Sequence, residues 1–198
     1  MTTRQANRWR WWFVLFLILG GASLRVLRHY GLIDLPPNFA PVSALAMFSS
    51  AYLPRRLAVI VPLGLMFISD MAIGFYSWPI MISVYGSFLV SCALGFWVRH
   101  RPESLSLGPR GWRRLAGAAL AGAAFFFLVT NAAVWWFGTL YPHTWPGLVA
   151  AYVAGWPFFR YTLLGDLFYS GLFFGLHHTV VLYLGQRQRA ANSALING

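Results

Sequence analysis

The sequence predicts an all-α integral membrane protein, a single domain of six transmembrane helices with both termini in the cytoplasm. Three observations carry this reading. Of the 198 residues, 59% are hydrophobic and 10% are charged, well below the roughly 25% charged residues of soluble domains. Apolar runs close to the ~20 residues needed to cross a bilayer recur along the chain with short polar connections. The net charge of +11 comes from arginine alone, with no lysine, and those arginines cluster between the apolar runs. That placement is a topology signal rather than a nucleic-acid footprint, so no nucleic-acid partner is expected and the lipid bilayer is.

Hydropathy windows of about 19 residues place helices at 11–27, 41–53, 57–76, 79–98, 114–138 and 161–184. The first follows Arg4, Arg8 and Arg10 and lacks a small-residue cleavage site before Arg25, so it reads as a retained helix and not a signal peptide. The second is short for a crossing and either extends back to Asn38 or is partly unwound. The third ends near Asp70 and Gly74, and the fourth carries Cys92, the single cysteine, which excludes an intramolecular disulfide.

The fifth helix opens with LAGAALAGAA, where Gly117 and Ala121, or Ala118 and Gly122, repeat at a spacing of four. Small residues so spaced let two helix backbones approach, here within one subunit in preference to a dimer seam. Between the fifth and sixth helices, residues 145–159 are apolar but interrupted by Pro146, Gly155 and Pro157. This stretch reads as an outer interfacial or re-entrant segment, too short to span as one straight helix. Trp135, Trp136, Tyr141, Trp145 and Trp156 would form the outer aromatic belt.

With the first ten residues cytoplasmic, twelve of the fifteen arginines fall on the inner side and only Arg25, Arg28 and Arg160 on the other. The imbalance implies an N-in, C-in protein of the bacterial inner membrane with an even number of crossings.

Two of the four acidic residues, Asp70 and Asp166, fall inside helices, where a carboxylate is costly unless paired or wet and marks a functional site by default. On the sixth helix Thr162, Asp166, Tyr169, Ser170, Phe173 and His177 recur at intervals of three and four and share one face. Tyr85 and Asn131 lie toward the same outer end, as do Arg25, Arg28 and His29 closing the first helix, Asn38, Tyr141 and Arg160. These residues describe an outward-facing cup, the candidate substrate-binding set. A competing reading pairs Asp70 with Arg25 or Arg28, and Asp166 with Arg160, as structural salt bridges. No HExxH, GxSxG, phosphate-binding loop or acidic metal cluster occurs, so no catalytic residue is assigned. Uptake protein, accessory membrane subunit and intramembrane enzyme remain as function classes, the last without a motif behind it.

The run NFAPVSALAMFSSAYLPRRLAVIVPLGLMFISDMAIGFY, residues 38–76, resembles the N-terminal half of the S components of energy-coupling-factor vitamin transporters. The shared features are Pro41, the small-residue stretch from Ala44 to Ser50, the basic turn Arg55 with Arg56, and Asp70 with Gly74. The later segments FFFLVTNAAVWW, LYPHTWPGL and PFFRYTLLGDLFYS, with Tyr85, look like a related group of small bacterial membrane proteins, and the likeness spans most of residues 10–185. The resemblance implies a six-helix subunit that captures a vitamin from the outer side under a loop lid. It is nearest to solitary S components that take up cobalamin in Gram-negative bacteria. There a cysteine can ligate cobalt, and Cys92 is the one candidate in this chain, set about 20 Å down the fourth helix at 1.5 Å per residue. A buried small hydrophobe is the other reading of Cys92. The first helix reads LILGGASL, with Gly20, Gly21 and Ala22, in place of the alanines four apart that serve docking. The resemblance therefore leaves an energy-coupling module open as a partner and favours solitary function.

Overall fold

The computed structural model describes residues 3–100 and 108–196, with side chains described over 11–100 and 108–187. Arg101 lies outside this range, as do the side chains of Arg4, Arg8, Arg10 and Arg189. The described chain is helical, in six elements: α1 Thr3–His29, α2 Val42–Tyr52, α3 Arg55–Ile73, α4 Trp78–Arg99, α5 Pro109–Phe137 and α6 Trp145–Ile196. Five of them, all but α2, are long and apolar enough to cross a membrane. The protein is a multi-pass membrane protein by that measure, and large apolar side chains such as Phe16, Trp78, Leu140 and Trp145 stand exposed on its surface, as a lipid solvent requires.

Helix ends follow local chemistry. α3 stops at Gly74, whose φ of 115° suits glycine alone, three residues before the expected end. α5 starts earlier than expected because Pro109 takes its first position, where a missing N–H costs nothing.

Two expectations are corrected. The second helix is not a full-length span: α2 has 11 residues, about 16 Å at 1.5 Å each, against a core of ~30 Å. The loop before it completes the chain's return from the end of α1, which meets the end of α3 at Arg25–Asp70 and Tyr30–Ala72, to the start of α3. Its residues Val42 to Ala51 are all buried, as befits a helix of small and apolar residues whose Ser49 hydroxyl is met by the Ala46 and Ala58 carbonyls. It packs against α3, α4, α5 and α6. The stretch 145–159 is not a separate re-entrant segment either, but the opening turns of α6, continuous through Arg160 and Tyr161. Pro146 sits at the second helical position, where proline is tolerated. Pro157 removes one hydrogen bond, and with no water to take the others the backbone still does best as helix.

Helix contacts rely on small residues. A Cβ on Gly95 would overlap the Met47 carbonyl, and one on Gly155 would overlap the Asn131 amide, so α4 meets α2 and α6 meets α5 at glycine. In α5 it is the Ala118 and Gly122 register that is buried, with Gly122 against Ser91 and Leu94 of α4, so this pair packs within the subunit. Gly117 and Ala121 face outward. The core combines Val14, Ile18, Leu45, Val61, Leu65 and Phe174 from four helices.

Candidate functional site

Arg25 stands one turn before the end of α1 and reaches α3. Its Nη2 donates to Asp70 Oδ1 at 3.0 Å, its Nη1 donates to the Ser69 hydroxyl, and the same nitrogen lies 3.0 Å from the Met66 sulfur. From α4, the Tyr85 hydroxyl donates to the other oxygen, Asp70 Oδ2, at 2.8 Å. Asp70 is 1% exposed and engaged at both oxygens. The triad ties three helices together, and charge-assisted bonds of this kind are among the stronger ones available.

Beside it lies a cavity of about 210 Å³. Arg25 is on its wall, but Asp70 and Tyr85 are not. The α1–α2 loop contributes Asn38 and Ala40, α2 contributes Ser43, the α3–α4 loop Tyr76, and α6 Thr162 and Asp166. Apolar surface comes from Met66, Val84, Phe88 and Phe126. Asn38 adopts φ 62°, the left-handed region that asparagine tolerates better than most residues. An adjoining cavity of about 130 Å³ shares Asn38, Phe126 and Thr162, and is bounded by Asn131 and Gly155.

Asp166 is 2% exposed. The Ser43 hydroxyl is its hydrogen-bonding neighbour, while its Oδ2 has no partner among the described residues. A buried acceptor left unpaired costs about 1–3 kcal/mol or more. The expected partner, Arg160, is exposed and six positions earlier on the same helix, which turns it to a different face. The pairing reading therefore holds for Asp70, with Arg25, and does not hold for Asp166 with Arg160.

The remaining predicted residues divide by position. Asn131 donates to the Phe127 carbonyl at 2.8 Å while facing the smaller cavity. Tyr169 packs its ring against Phe39 and Phe173 and lines neither cavity. Arg28 donates from Nε to the Leu35 carbonyl at 3.0 Å, bracing the loop after α1. His29 is exposed with its ring edge-on to Tyr30, and Tyr141 lies in the α5–α6 loop away from both cavities. Cys92 is 2% exposed, its sulfur 3.9 Å from the Ala58 carbonyl of α3, and it lines neither cavity. Among the described residues no three His, Cys, Asp or Glu side chains gather as a metal site.

Tyr76, in the loop between α3 and α4, is the cavity group whose acidity is shifted outside the spans. Burial, followed by the negative charge of Asp70, pushes its phenol up from 10.0 to about 12, and Arg25 opposes part of the rise.

Ser43 and Tyr76 were not singled out from the sequence. Ser43 lies on a helix without an apolar stripe, and Tyr76 reads as the end of α3. Arg25 was named from the sequence, both at the outer end and as one of two candidate partners of Asp70, and it is the one that pairs.

Fold and cavity together define a multi-pass helical membrane protein with a chamber of mixed polar and apolar lining inside the bundle. The chain belongs to DUF6580, a family of unknown function, which it matches over residues 5–190. No curated protein and no solved structure matches it.

Proposed function

We propose that the protein is a membrane-embedded substrate-binding protein for uptake of a small vitamin-type nutrient, working as S components do. The observation that carries this is Asp166, a buried carboxylate with an unsatisfied oxygen on the wall of a cavity inside the bundle. A purely structural helix lock leaves no such oxygen, as the Arg25–Asp70–Tyr85 triad illustrates. The loops carrying Asn38 and Tyr76 bound the cavity at one end of the bundle. The arginine distribution supports reading that end as the outer one, in an N-in, C-in arrangement in a bacterial inner membrane.

Size narrows the substrate. Pockets for drug-sized ligands measure about 300–1,000 Å³, and this cavity, about 210 Å³, is smaller. Cobalamin would need the loops to move far apart and has no cysteine at the cavity wall, so a smaller nutrient is the preferred substrate. The accessory-subunit reading is favoured for Asp70 alone, because both its oxygens are engaged within the bundle.

The test has two arms: binding of a vitamin panel to the purified protein, and growth rescue of a bacterial strain unable to import one vitamin. Binding with rescue by the wild type, lost in Asp166→Asn, is the expected result. An empty protein that binds nothing across the panel would overturn the reading.

A further inference from the structure

Three arginines near one end of the bundle would make an anion the natural guest, but their contacts say otherwise. Arg25 faces the cavity with its charge already met by Asp70 at 3.0 Å. Arg28 is turned to the Leu35 carbonyl, and Arg160 is exposed and absent from the cavity wall. The charged group that faces the cavity without a counter-charge is Asp166, 2% exposed with a free Oδ2.

We infer that the cavity selects a small organic cation, an ammonium or other N–H donor on a compact apolar body, with its nitrogen held by Asp166. This rests on the cavity being the substrate site, as proposed above. The ionised carboxylate is acceptor-only, so its missing partner is a donor, and a cationic donor both makes the stronger bond and favours the ionised form. Ser43, the hydrogen-bonding neighbour of Asp166, and Thr162, one turn before Asp166 on α6, line the same cavity. The Thr162 hydroxyl donates to the Phe158 carbonyl at 3.0 Å with a lone pair left to accept. Phe88 and Phe126, which also line the cavity, pair with ring centroids 5.3 Å apart, and aromatic faces attract cations as well as apolar rings. A volume of about 210 Å³ equals about seven waters at ~30 Å³ each, room for one ring and a short amine arm.

The experiment uses the full chain in lipid nanodiscs at neutral pH with two probes of the same shape and opposite charge, phenethylammonium and phenylacetate. The amine raises the unfolding temperature in a concentration-dependent way, and phenylacetate does not. Asp166→Asn weakens the amine about ten- to a hundredfold, the factor for losing a hydrogen bond to a charged group. Should Asp166→Asn fail to fold, Ser43→Ala and Thr162→Val each weaken the amine about two- to tenfold. Phenylacetate binding as well as the amine, or amine binding unchanged in every one of these variants, overturns the inference. The two proposals fail separately: amine binding without nutrient uptake by cells sinks the uptake reading alone. Uptake of an uncharged vitamin lacking N–H groups, with no amine binding, sinks this one alone.

Discussion

Tyr85 donates to the oxygen of Asp70 that Arg25 does not use, Oδ2 at 2.8 Å against Oδ1 at 3.0 Å. Removing either donor therefore leaves the carboxylate half-satisfied inside the bundle. Removing the carboxylate leaves both donors without their acceptor. Asp70→Asn is expected to cost about 3–5 kcal/mol, the range for breaking one side of a buried pair, and Tyr85→Phe about 1.5–3 kcal/mol. Unfolding temperatures in detergent check the order. The double replacement Arg25→Gln with Asp70→Asn should lose less than the sum of the single changes, since it strands no charge.

The Tyr76 phenol should ionise with a midpoint of about 12, not 10.0. Phenolate absorbance of wild type minus Tyr76→Phe reads it directly. Between those two values an unfolded chain releases the proton and the folded one keeps it. Stability contributed at this group is therefore full below about pH 10 and lost as pH climbs toward 12. Asp70→Asn should lower the midpoint, because the Asp70 charge is one of the two causes of the rise.

Glycine replacements should separate rigid from yielding contacts. In Gly95→Ala the new methyl meets the Met47 backbone, which cannot move aside, and a loss of about 1–3 kcal/mol is expected for overpacking. Gly21→Ala meets the Leu65 side-chain tip and should cost less. Gly20→Ala meets nothing within 4 Å and should stabilise by about 0.4–1 kcal/mol through the unfolded chain. Thermal unfolding of the three variants gives the ranking.

Cys92 should react slowly with maleimide in the folded protein and quickly after denaturation, given its 2% exposure. Cys92→Ser should leave substrate affinity within about twofold, a difference of ~0.4 kcal/mol. A larger loss would restore the cysteine to the binding site.

Much of the fold was legible in the sequence because hydropathy acts over whole turns. α1, α3, α4 and α5 lie where the apolar runs put them, with ends moved by Pro109 and Gly74. α6 was misread because Pro146, Gly155 and Pro157 look like one interruption. Each has a separate local reason that leaves the helix intact: a first-turn position, a close contact with Asn131, and a single lost bond. In the site, the two intramembrane carboxylates were legible from cost alone, but their fates were not. Which carboxylate finds a partner depends on how α1 is rotated against α3, and no pattern within one helix encodes that. The shared face of α6 was readable: Thr162 and Asp166 meet the cavity, Tyr169 packs on Phe39 of the α1–α2 loop, and Phe173 and His177 carry on along α2 at Phe48 and Tyr52.

The shortness of α2 bears on biogenesis. Eleven residues give an insertion machinery too little apolar length to recognise as an independent span. Helices that insert alone can associate afterwards, but α2 has to enter as a passenger, most directly as one hairpin with α3 across the Leu53–Pro54 turn. Ser43 reaches the Asp166 carboxylate only once α6, made after α1–α5, has closed over it. The chamber is thus the final product of assembly, and a chain halted before α6 would carry α2 without the wall that completes it.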